Sequence, residues 1–157
     1  MNPKGQHRLR RRASLAVLTA TTVLAGVSAN AALGGMEATV QVDQQQMSAT
    51  QRVLRPGPYT LHEMQTPTGT VVREYVSPAG MVFGVAWQGP AMPDLRQLLG
   101  SNFDRYVAAV AQRKAKGPVV VELPGLVVHS GGHMRAFAGR AYIPEALPQG
   151  VAADSIR

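Results

Sequence analysis

The chain has 157 residues, no cysteine, 45% hydrophobic and 5% aromatic residues, and a formal charge of +7. Without cysteine, disulfide staples and a lipoprotein-type lipid anchor are excluded, and the scarcity of aromatics argues against a stacking platform for sugars or bases. The charge does not describe the folded part: residues 1–31 hold five of the sixteen basic side chains and no acid, leaving eleven bases against nine acids, a balance of +2 without a nucleic-acid signature.

At the N-terminus, Lys4, Arg8, Arg10, Arg11 and Arg12 precede the uncharged run ASLAVLTATTVLAGV and then Ser28-Ala29-Asn30-Ala31. A basic part, an apolar part and a small-x-small site in that order predict a cleavable signal peptide over residues 1–31, cut after Ala31. The apolar run of about 15 residues is shorter than the roughly 20 that a spanning helix needs, so no integral membrane segment is expected after cleavage. The product is expected to be soluble, in the periplasm or secreted. Arg11-Arg12 leaves a twin-arginine route open beside general secretion, although Ala13-Ser14-Leu15 lacks the bulky apolar pair that such a signal prefers. About 126 residues remain, enough for one domain without staples: residues 32–144, with 145–157 as a flexible tail that runs over the surface or frays.

Met36 to Val42 alternates apolar and polar residues and predicts a short strand; the polar DQQQMSATQR after it predicts a loop or a single helical turn, ending at Arg55-Pro56-Gly57-Pro58. Thr66-Pro67-Thr68-Gly69 and Ser77-Pro78-Ala79-Gly80 share one grammar of hydroxyl, Pro, small residue and Gly. Pro67 and Pro78 preset φ, Gly69 and Gly80 suit the fourth turn position, and both segments read as tight reversals. Tyr59–Gln65, Thr70–Val76 and Met81–Gln88 then form a three-stranded antiparallel meander. Strand parity places Met81, Phe83, Val85 and Trp87 on one face, expected to be core, and Val82, Gly84 and Ala86 on the other.

Beyond Gly89-Pro90 the period changes. Asp94 stands where an N-cap would, with Gln97 three residues on in capping-box register. Leu95, Leu98, Leu99, Phe103, Tyr106, Val107 and Val110 fall on one arc, predicting one long amphipathic helix over Asp94–Lys114. Arg113, Lys114 and Lys116 suit the negative end of that helix, and Gly117-Pro118 stops it. Val119–Leu123, Leu126–His129 and Met134–Ile143 read as further strands, the last two joined around Gly131-Gly132. The fold class predicted is α+β: an antiparallel sheet with the helix packed on one face. Trp87, just before the Gly-Pro link and the N-cap, reads as the packing anchor between sheet and helix.

Candidate chemistry is thin. His129 and His133 are the one close histidine pair, and imidazole is a common metal ligand. A two-residue loop at Gly131-Gly132 would send them to opposite faces and a three-residue loop would pair them; either way, two ligands fall short of a zinc site. Arg73, Arg135 and Arg140 lie in predicted strands and could gather an anionic ligand, or form an ion-paired sheet face. His62 and Glu63 are neighbours and cannot share a strand face. Ser77, Ser101 and Ser130 lack a nucleophile-elbow context. No catalytic residue and no cofactor is expected, and the candidate ligand-binding residues are His129, His133, Arg135 and Arg140.

The runs VREYVSPAGMVFGVAWQGPAMPDLRQLLG, FDRY and LVVHSGGHMRAFAGRAYIP together resemble a bacterial family of small exported proteins, domain of unknown function 2844, from about Leu33 to Pro144. The resemblance implies an exported protein with no assigned activity and no catalytic residues to carry over. The leading expectation is a non-enzymatic cell-envelope or secreted module that binds an unknown protein or envelope component. Its alternatives are a small envelope hydrolase or metal-dependent enzyme using His129 or His133, and a small-ligand carrier with a pocket between helix and sheet.

Overall fold

The computed structural model describes residues 33–114 and 116–157; the proposed signal peptide lies outside them. The two Pro-x-Gly reversals form as their chemistry dictates. Gly69 N donates to Thr66 O at 2.9 Å and Gly80 N to Ser77 O at 2.8 Å, and both glycines take positive φ, 88° and 77°.

Seven strands build one antiparallel sheet: β1 (Thr50–Gly57), β2 (Tyr59–Gln65), β3 (Val71–Val76), β4 (Val82–Gly89), β5 (Val119–Leu123), β6 (Leu126–His133) and β7 (Ala136–Tyr142), in the order β1-β2-β3-β4-β7-β6-β5. The α+β class holds, but the sheet is wider than a three-stranded meander. A fourth strand precedes β2, and the last three join the same sheet through β7, which pairs with β4.

The first segment departs from its predicted strand. Glu37–Thr39 is a 3-10 turn and Val40–Gln46 is helix α1, burying Val40 and Asp43 one helical turn apart; the glutamines favour a helix more than the short alternation favours a strand. Where a loop was expected, Thr50 opens β1. This edge strand is exposed along nearly all its length, so it carries no alternating pattern to read.

The long helix is also divided, into α2 (Leu95–Leu99), a 3-10 turn over Gly100–Asn102, and α3 (Phe103–Ala111). Gly100, at φ 51° and ψ −124°, departs from helical geometry and sets the break. Asp94 caps α2 as expected, accepting from Arg96 N at 2.8 Å and Gln97 N at 3.4 Å. Gln97 turns its side chain away from the cap, donating to Asp43 Oδ1 at 3.0 Å. Val107, placed on the apolar arc by the sequence, is 45% exposed because the break re-aims the second half. Among the described residues, no helix is long and apolar enough to cross a membrane.

A bulge changes the parity read for β4 at its start only: Gly84, Val85, Ala86 and Trp87 keep the expected faces, while Val82 and Phe83 exchange theirs. Tyr75 faces Gly84 and Val76 faces Val82, leaving Phe83 as the extra residue. Val82, Val85 and Trp87 therefore share the helix-covered core with Val72, Val128, Leu98, Leu99 and Tyr106, while Phe83 and Ala86 belong to a second cluster on the opposite face. Trp87 is a core residue, as expected, beside Gly139; a Cβ added at Gly139 would collide with the indole.

The second cluster is closed by the segment expected to be a flexible tail. Ile156 is fully buried, packed with Tyr75, Phe83 and Ala86, and a Cβ on Gly84 would come within 2.8 Å of it. Arg157 N donates to the Tyr75 hydroxyl at 3.1 Å, and that hydroxyl donates to Arg157 O at 2.9 Å. Residues 145–157 are thus packed against the sheet rather than detached from it.

Candidate functional site

Helices cover one face of the sheet; the other, crossed by residues 153–157, is the open face. Arg52, Glu63, Arg73, Tyr75, Arg140 and His129 project there because they alternate along adjacent strands with core residues such as Met64, Val72 and Val128. Tyr59, Tyr75 and Phe83 form an aromatic cluster with centroids 5.6, 6.0 and 6.2 Å apart. Burial pushes the Tyr75 phenol above its ordinary value. Glu63 accepts from Arg73 Nε and Arg52 Nε, both at 2.8 Å. Partial burial works against its charge, but the two guanidiniums outweigh this and hold the carboxylate below its usual range.

Two grooves border the closing segment. One, of about 700 Å³, is lined by Tyr59, Leu61, Arg73, Tyr75 and Ser155. The other, of about 430 Å³, is lined by Val120, His129, Gly131, Ala138, Arg140 and Ile156. Gln88 and Arg157 line both. The space predicted for a carrier's pocket, between helix and sheet, is instead core, with Leu98, Leu99 and Tyr106 packed with Val85 and Trp87.

The structure separates most of the residues picked out in the sequence. Gly131-Gly132 is not the hairpin turn: β6 runs on to His133, and the reversal is Met134-Arg135, with φ 44° and 71°. His129 and His133 do share the open face, but four residues along one strand set them about 13 Å apart, too far to hold one ion. Among the described residues no three His, Cys, Asp or Glu side chains converge on a metal position. Arg135 sits in the turn, away from Arg73 and Arg140. Arg140 anchors the closing segment, donating to Asp154 Oδ1 at 3.1 Å and Ala153 O at 3.2 Å. His62 faces the helices and Glu63 the open side, as adjacency required.

A buried acid pair went unread in the sequence. Glu74 and Asp43 are both fully buried on the helix-covered face, close enough for the charge of one to act on the other, with Gln97 donating to Asp43. Burial first, and then the charge of Asp43, drives the Glu74 carboxyl well above its ordinary range, so it holds its proton. Beside them, His62 Nε2 lies 3.0 Å from Glu37 Oε1 and its Nδ1 2.8 Å from Gln51 Nε2. The signal was present: Glu74 has the parity of Val72 and Val76, an acid in the middle of a core-facing row. Neither Glu74 nor Asp43 lines either groove of the open face.

A family model described as protein of unknown function (DUF2844) matches residues 29–156. The chain belongs to this family. The match spans every described strand and helix, so both the open face and the buried acid pair lie within it. No curated protein and no solved structure matches the chain.

Proposed function

We propose that the chain is an exported binding module of the cell envelope, cut after Ala31, that takes a protein or other envelope component on its open sheet face. One observation carries this reading: the face that no described α-helix covers bears two grooves side by side, lined by tyrosine, arginine and histidine side chains, while the buried acid pair is sealed under the helices. Grooves mixing apolar floor and a few polar groups are the usual form of a recognition surface. An acid pair that substrate cannot reach is poorly placed for general acid–base work.

Photo-crosslinking in living cells tests the proposal. A benzophenone side chain at Gln88, which lines both grooves, is expected to give a discrete adduct; the same group at Gln112, exposed just past α3, is expected to give none. Adducts from Gln112 alone, or from neither position, would overturn the assignment of the face. Intact mass of the recovered protein is expected to begin at Ala32, and retention of residues 1–31 would overturn export by a cleaved signal.

A further inference from the structure

The two edges of the sheet are built differently. β1 carries Arg52, Arg55 and Pro56, and its register with β2 breaks between Leu54 and Gly57. Charge, proline and irregular register are the devices that keep an edge strand from pairing with another chain. β5 has none of them in that density. Its sequence is Val119-Val120-Val121-Glu122-Leu123, its register with β6 is continuous, and Val120 is 52% exposed. Its ends are fixed by Arg113, just beyond α3, whose Nη2 donates to Pro118 O at 2.7 Å, and by Arg105 of α3, which donates to Pro124 O. Among the described residues no strand pairs with the outer side of β5.

Its pattern also specifies an occupant. The hairpin turns through Pro124-Gly125, so Leu123 and Leu126 close it as a hydrogen-bonded pair, and Val121 and Val119 bond inward with the same alternation. Val120 and Glu122 then turn N–H and C=O outward. An antiparallel copy of β5 centred on Val121 sets Val120 opposite Glu122 of the second copy, aligning these outward groups in both directions. On the helix-covered side the apolar row Val119, Val121, Leu123 meets itself, Val opposite Leu and Val opposite Val. No like charges stand directly opposite, and the two Glu122 side chains, exposed, lie on a diagonal of about 7–8 Å.

We propose that β5 is a self-pairing edge: two copies of the chain join β5 to β5, antiparallel about Val121, into one continuous sheet. The contact is a short strand, so the dimer forms in a concentration-dependent way. It is measured on purified protein with no partner present, and its outcome is independent of what the open face binds.

Sedimentation equilibrium of the purified chain is expected to show a mass rising from one chain to two through the high-micromolar range. Val120→Pro removes an outward N–H that β6 does not use, and Val120→Lys adds an edge charge; each should weaken association at least about tenfold with unchanged far-UV ellipticity. If the proline variant misfolds, the lysine variant decides. Because the chain has no cysteine, Val121→Cys should oxidise to a covalent dimer, whereas Leu54→Cys on β1 should not. A monomer at every concentration, a dimer indifferent to both Val120 variants, or cross-linking through Leu54→Cys instead would overturn the proposal.

Discussion

Single residues set two properties of the core. Glu74 is buried in its protonated form, and in the unfolded chain it titrates near 4.5. Stability is therefore fully present below that value and falls as pH rises toward the raised folded-state value, because the unfolded chain alone gains the charge. Glu63 acts in the opposite sense and in a separate window, losing its contribution only as pH falls below the ordinary glutamate range. Denaturation midpoints are expected to decline as pH rises above the ordinary glutamate range. Glu74→Gln, which keeps the shape and cannot ionise, should flatten that decline and exceed the wild type at pH 8; an unchanged slope would show that Glu74 is not the titrating group. Gly139 is the second case. A side chain there would strike the Trp87 indole and approach His129 O at 2.6 Å, so Gly139→Ala should lower stability by about 1–3 kcal/mol in urea titrations.

Elements differ in how far their local chemistry announced them. The turns at Pro67-Gly69 and Pro78-Gly80 were legible because each position demands a residue type. The β6–β7 turn was not, since it places Met134 and Arg135 at positive φ, where neither residue is favoured. Its strain makes a prediction: Met134→Asn with Arg135→Gly supplies the preferred pair for such a turn and should raise stability by about 1 kcal/mol, read as a higher thermal midpoint. Gly132, which drew the turn assignment, is glycine for a different reason, as any Cβ would meet Ala136 and Phe137 across the ladder. The closing segment gave no periodic signal because Ile156 is its one fully buried side chain, and hydrogen bonds with Arg140 and Tyr75 hold the rest. Ile156→Ala should cost about 2–4 kcal/mol in chemical denaturation; a change under about 0.5 kcal/mol would mean the segment adds nothing to the fold.

At the scale of the molecule, one sheet serves two hydrophobic clusters. The helix-side core and the cluster beneath Ile156 share the backbone of β3 and β4, with Val72 and Val85 on one side and Tyr75 and Ala86 on the other. Neither cluster can come apart without disturbing strands that hold the other, so unfolding is expected to be a single cooperative transition. Trp87, the one tryptophan, sits on β4 against β7, where the two halves of the sheet meet. Its emission and the far-UV ellipticity should therefore trace coincident urea curves, and separated curves would reveal two independent units.

Short-range chemistry made several features legible in the amino-acid order: the α+β class, the two proline-glycine reversals, the strands of the meander, the Asp94 cap and the core position of Trp87. Features that depend on distant partners emerged only on packing. The bulge at Phe83 exchanged the faces of Val82 and Phe83, Gly100 divided the helix, β1 formed as an exposed edge without a pattern, and the closing segment folded onto the sheet. The histidine pair illustrates the difference. Its alternatives depended on where the hairpin turned, and pairing along the β6–β7 ladder, rather than the glycine pair, fixed that turn. The buried Glu74–Asp43 pair has the same cause: parity pointed Glu74 inward, but only the docking of α1 on the sheet brought a second carboxyl to meet it.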